Sequence, residues 1–166
     1  MISIKRAFCC VLLLVLTLTG CEKTTQVKPQ AYSVSAFTLS YNEMKSTGRI
    51  LIDESKNISL LVESPESLKG FSAKTDGQNF TVNYNGITAT YTANDLPAGA
   101  FFKLAFYALE KIKNTENIQF EKTENGYVGI DKTELGEVKI ELDEDNFIKA
   151  IKIPPQGFYL ELSQVN

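Results

Sequence analysis

From Phe37 onward, apolar and polar residues alternate in short stretches, each closed by turn residues, and a period of two restricts such a chain to strands joined by hairpins. Phe37, Leu39 and Tyr41 alternate with Thr38 and Ser40. Ile50 and Ile52 precede the turn cluster DESKN at 53–57, and Ile58, Leu60 and Val62 follow it. Phe71, Ala73 and Thr75 lead into Asp76-Gly77, and Phe80, Val82 and Tyr84 run to Asn85-Gly86. Both residues of that pair tolerate the positive φ of a type I′ turn. With Ile87, Ala89 and Tyr91 behind it, the stretch predicts three consecutive hairpin-linked strands.

The period then changes to that of a helix. Asp95 and Pro97 can start one, and Phe101, Phe102, Ala105, Phe106, Leu109 and Ile112 share an apolar face, which predicts a helix from Ala98 to Lys113. Strands resume at Ile118 to Lys122, turn at Asn125-Gly126 and return through Tyr127 to Ile130. Val138, Ile140 and Leu142, then Phe147 to Ile153, then Phe158, Leu160 and Leu162 after a Pro-Pro-Gln-Gly break, complete ten or eleven strands. The expected class is α+β, a mainly antiparallel sheet packed on one main helix. One helix covers only part of so wide a sheet, so the sheet is expected to curl strongly into a half-barrel with an apolar groove.

The N-terminus concerns address rather than fold. Lys5 and Arg6, the apolar run through Leu18 and the small residues Thr19 and Gly20 have the layout of an export signal, and the run is short for a bilayer span of about 20 residues. Leu18-Thr19-Gly20-Cys21 resembles the lipobox of bacterial lipoproteins. That resemblance implies cleavage after residue 20, acylation of Cys21 by diacylglycerol and palmitate-type chains, and a cell membrane or outer membrane location facing away from the cytoplasm. Two or more buried acyl chains hold a protein on a membrane stably. The expected division is a signal peptide at 1–20, a polar tether at 21–31 and one domain at 32–166.

Composition excludes several chemistries. The three cysteines are Cys9, Cys10 and Cys21, and the chain has no histidine and no tryptophan. The domain therefore holds no disulfide, no zinc site built on His or Cys and no imidazole-dependent triad. Removing Lys5 and Arg6 with the signal leaves 15 basic against 20 acidic residues, a net charge of −5, which argues against nucleic acid as a partner. No nucleophile elbow, phosphate loop or metal pair is present, so the chain is read as no enzyme and as using no cofactor. Asp143, Glu144 and Asp145 lack the spacing of a calcium loop and are read as a solvated hairpin turn.

The run from Gly48 through Glu63-Ser64-Pro65 to Thr75–Tyr84 ("TDGQNFTVNY"), followed by a proline-started helix, is similar to the half-barrel lipoprotein carriers and receptors of the LolA/LolB and LppX type. Asp76-Gly77 and Tyr84 are its best points. The resemblance implies an open barrel with a helical lid and a cavity for acyl chains. Those carriers present an arginine and a tryptophan before the Asp-Gly turn. This chain has no tryptophan and no arginine between Arg49 and that turn, so what it implies is an anchored lipid-binding relative rather than a shuttle.

Phe71, Phe80, Tyr84, Tyr91, Phe101, Phe102 and Phe106 are the candidate lining of a groove for a lipid or other acyl-chain ligand. A closed core built from the same rings is the competing expectation, and it makes the domain an anchored interaction or scaffold module that works through its surface or sheet edges. A monomer is expected in either case.

Overall fold

A computed structural model describes residues 27–92, 95, 101–115 and 118–165, without the side chains of Phe102 and Lys113. The signal segment, Cys21 and the expected helix start at 98–100 lie outside the described residues. Eleven strands follow in chain order: β1 (Val34–Tyr41), β2 (Met44–Ile52), β3 (Ile58–Ser64), β4 (Ser72–Thr75), β5 (Asn79–Tyr84), β6 (Ile87–Thr92), β7 (Phe120–Thr123), β8 (Gly126–Thr133), β9 (Gly136–Leu142), β10 (Ile148–Ile153) and β11 (Phe158–Gln164). The helix α1 (Phe101–Lys113) lies between β6 and β7 in sequence.

All eleven strands form one sheet in the order β6-β5-β4-β3-β2-β1-β11-β10-β9-β8-β7, with antiparallel neighbours throughout. Most neighbours are consecutive, joined by tight turns such as Asn85-Gly86, where both residues have positive φ. Among the described residues, the one long-range strand pairing joins β1 to β11 and holds the two meanders together as one sheet. The chain leaves the sheet at one edge, β6, runs through α1 and rejoins it at the other edge, β7.

The contacts of α1 establish that the sheet curls. Phe106 stacks on Phe80 of β5, Phe101 meets Tyr41 of β1, and Lys111 pairs with Asp131 of β8. β5 and β8 are eight places apart in the sheet, roughly 38 Å if it were flat. Phe106 and Lys111 are about 7.5 Å apart along a helix whose full diameter is about 10–12 Å. Only a sheet wrapped around the helix brings both strands within reach, which is the expected half-barrel.

Its concave face is the core. Leu39, Ile50, Leu60, Ile140, Ile151 and Leu160 point inward from the central strands, and Leu104, Phe106, Ala108 and Leu109 meet them from the helix. Burial of each large side chain contributes about 1.5–3 kcal/mol. Two irregularities help the bend: the register shift opposite Thr47/Gly48, where β3 carries the extra residue Glu63, and the one at Ile148/Ala150, where β10 carries Lys149. The second lets Ile148 and Ile151 both face the core despite their odd spacing.

Two local contacts lie beyond what the alternation pattern predicts. Asp95 is turned back toward β6, where its carboxylate accepts from the backbone N–H and hydroxyl of Thr92 at 2.7 and 2.8 Å, so it closes a strand. At the end of the stretch expected as a polar tether, 21–31, Gln30 donates to the Asn146 carbonyl and accepts from the Ile148 N–H, both at 2.9 Å. Tyr32 stacks on Phe147 with ring centroids 4.0 Å apart, and Val27 and Ala31 pack against the core. The chain thus meets the domain at the β9–β10 turn.

Candidate hydrophobic site on the concave face

The register of β4, β5 and β6 sets which side chains share a face. Thr75, Phe80 and Tyr91 are opposite one another, as are Ala73, Val82 and Ala89, and Tyr84 opposes Ile87. Residues opposite in an antiparallel ladder project to the same side. Phe80 touches the helix, so these three rows all face the concavity. On the convex side, Thr81 and Thr90 meet at 3.4 Å, and Asn83 donates to Thr88 at 2.8 Å. The hairpin is therefore amphipathic, with an Asn/Thr ladder outside and apolar side chains inside.

Burial falls steadily across this flank. Phe71, Ala73 and Phe80 are buried, Val82 and Tyr84 are half-buried, and Tyr91 and Ile87 are 38% and 75% exposed. The Tyr84 hydroxyl donates to the Ser67 carbonyl and its ring lies 6.1 Å from that of Phe71, which fixes the ring at the wall.

The seven candidate aromatic residues thus divide. Phe80 and Phe106, with centroids 4.2 Å apart, fill the space between sheet and helix and belong to the core. Phe71 backs Tyr84, while Tyr91 stands on the open edge strand. Phe101 is half-buried against Tyr41, 6.2 Å between centroids. The Phe102 side chain and Cys21 lie outside the described residues.

A polar pair on the concave face was not anticipated. Asp131 opposes Val138, so it points inward, where it accepts from the Lys111 ammonium, which also lies 5.3 Å from the Tyr107 ring. Burial pulls the Lys111 pKa down, but Asp131 and Tyr107 outweigh it and the net shift is upward. The sequence signal was a carboxylate at an inward position of an alternating strand two residues after Gly129.

The acidic turn is held by its own backbone: Asp143 accepts from the N–H groups of Asp145 and Phe147 at 3.0 and 2.9 Å. Among the described residues no group of three His, Cys, Asp or Glu side chains is placed to hold a metal. No described helix is long and apolar enough to cross a membrane.

No family model matches the chain, and no curated protein matches it. Among solved structures, the chain is similar to the crystal structure of a LolA superfamily protein from Nitrosomonas europaea. The identity is 11%, over 86% of this chain and 89% of that chain, with a TM-score of 0.39. The half-barrel architecture stands on the register and helix contacts of the chain itself: an antiparallel sheet of eleven strands curled around one helix among the described residues, with its uncovered apolar flank at β5 and β6.

Proposed function

We propose that this chain is a bacterial lipoprotein, anchored through Cys21 on the outer face of a cell membrane or outer membrane, that binds a hydrophobic ligand such as a lipid without catalysis. The observation that carries the reading is the fall in burial along the concave side of β4 to β6, from Phe80 through Val82 and Tyr84 to Tyr91. An apolar wall that opens gradually from a packed core offers an acyl chain a surface to lie on, and each buried CH₂ of such a chain contributes about 0.8 kcal/mol. The anchor is supported by the Leu18-Thr19-Gly20-Cys21 motif and by a polar stretch that joins the domain at Gln30.

The chain lacks tryptophan, so a single introduced indole reports on the wall alone. In the domain from Thr24 to Asn166, Val82→Trp faces the concavity and Thr81→Trp the convex side. Adding phospholipid or fatty acid is expected to shift the emission of Val82→Trp to the blue and leave Thr81→Trp unchanged; equal behaviour of the two contradicts the reading. For the anchor, radiolabelled palmitate is expected in the wild-type chain and not in Cys21→Ser. Incorporation in both would contradict the lipobox.

The Phe80–Phe106 stack favours a second reading, in which the interface is closed and the anchored domain acts through its surface or edges. A silent Val82→Trp reporter in a folded domain would select it.

A further inference from the structure

The two edges of the sheet are unequal. β7 is four residues long and carries Glu121 and Lys122, the kind of charged, short edge that resists strand addition. β6 is six residues, Ile-Thr-Ala-Thr-Tyr-Thr, with no charge, no proline and no register shift against β5, and five of the six are exposed.

The hydrogen-bond phase of β6 shows which backbone groups its free side offers. A two-residue turn makes Tyr84 and Ile87 a hydrogen-bonded pair, so by alternation Ala89 and Tyr91 also bond to β5, and Thr88, Thr90 and Thr92 point outward. Asp95 confirms this phase. Its carboxylate accepts from the Thr92 N–H, and its own N–H donates to the Thr92 carbonyl at 3.1 Å. The end of the edge is thereby closed, and the N–H and C=O of Thr88 and Thr90 have no partner among the described residues.

We propose that β6 is a docking edge for a second copy of this chain, the two β6 strands pairing antiparallel about a two-fold axis at Ala89. In that register Thr88 faces the second copy's Thr90, and four hydrogen bonds satisfy all the available groups on both strands. Ala89 meets its own mate, and Ile87 meets the second copy's Tyr91 in pairs that carry no hydrogen bond, where side chains approach most closely. These are the two exposed apolar residues of the strand, and each covers the other twice. Shifting the register by one residue would oppose Ile87 to a threonine and place concave residues opposite convex ones. This self-complementarity is what selects a second copy over an unrelated strand, and the uncharged edge raises no repulsion between two acidic chains. The pairing is small, and, resting here on the proposed Cys21 anchor, confinement of both copies to one membrane surface raises their effective concentration. It departs from the expectation of a monomer. It does not depend on a bound ligand, because it joins the two concave faces side by side.

The test is a cross-link in the full chain in its own membrane. Ala89→Cys lies on the axis, and a non-hydrogen-bonded antiparallel pair has a Cα separation of about 4.5 Å, within disulfide range. Mild oxidation is expected to give a species of twice the chain mass, reversed by reductant. Thr38→Cys, exposed on the convex side of β1, carries the same N-terminal cysteines and is expected to give none. Adding Thr90→Pro removes an N–H that β5 does not use and is expected to abolish the cross-link. Should that variant lose its circular dichroism signature, Ile87→Lys places a charge against the second copy's Tyr91 at a solvent-exposed position and is expected to do the same. Ala89→Cys dimer no more abundant than that of Thr38→Cys overturns the proposal. So does a product of any mass other than twice the chain, which would assign the edge to another protein.

Discussion

On the concave face two glycines lie under phenylalanines across the ladder, Phe37 opposite Gly48 and Phe120 opposite Gly129. Side chains crowd on the inside of a curled sheet, and a residue without Cβ lets the facing ring lie flat on the backbone. A methyl at Gly129 would come within 2.7 Å of the Phe120 ring and of Ile118, both of which can move. One at Gly48 would sit 1.9 Å from the Leu61 carbonyl oxygen, which is held in the sheet. Gly129→Ala is expected to cost about 1–3 kcal/mol and Gly48→Ala more, read from urea unfolding midpoints. Ser46 is the opposite case. Its hydroxyl is buried with no hydrogen-bond partner among the described residues, so Ser46→Ala is expected to raise stability by about 1 kcal/mol. A loss of that size would show that the hydroxyl has a partner. Neither glycine role was legible in the sequence, because alternation identifies which residues point inward and says nothing of what crosses the ladder above them.

Among the elements, the turns carry their own acid sensitivity. Asp53 is held below the usual carboxylate range by the Asn57 side chain and then its backbone, Asp76 by the backbone of Asn79 and then of Gln78, and Asp95 by the backbone and then the hydroxyl of Thr92. In Glu141 burial pushes upward, and the ammonium groups of Lys152 and Lys139 outweigh it, so the net shift is downward. A carboxyl with a depressed folded pKa stabilises the fold above its ordinary value, and that contribution is lost as pH falls through the folded one. Unfolding midpoints are therefore expected to fall below about pH 4, and Asp76→Asn is expected to flatten part of that slope. Lys111 works at the other end: its raised pKa means a contribution fully present below the ordinary lysine value and lost as pH rises above it. The helix depends on packing, and Phe106→Ala is expected to cost about 3–5 kcal/mol because it empties the Phe80 contact. The strands and the Asn85-Gly86 turn were legible because period and turn chemistry are local. An aspartate before a helix and one closing a strand look alike in sequence; Asp95 bonds Thr92, and the helix start expected after it lies outside the described residues.

At the level of the whole molecule, the curl follows from strands β5 and β8 both reaching a single helix. That much was anticipated from the width of the sheet. The β1–β11 pairing was not, since nothing local links Val34–Tyr41 to Phe158–Gln164. Nor was the asymmetry of the flanks: Lys111 and Asp131 pin the helix to the β8 side, while the β5–β6 side opens to solvent at Tyr91 and Ile87. Of the aromatic set read as groove lining, Phe80 and Phe106 belong to the packed core and Tyr84 and Tyr91 to the open flank, a division set by how far α1 reaches across the sheet. The anchor reading adds a direction, because the chain enters at the β9–β10 turn, at the opposite end of the strands from the Asn85-Gly86 tip. The most direct measurement is native mass spectrometry of the domain from Thr24 to Asn166, purified without detergent from bacteria. A co-purifying lipid adduct that is lost in Tyr84→Lys, with circular dichroism unchanged, is the predicted result; a clean apo mass that persists after incubation with phospholipid would contradict the account.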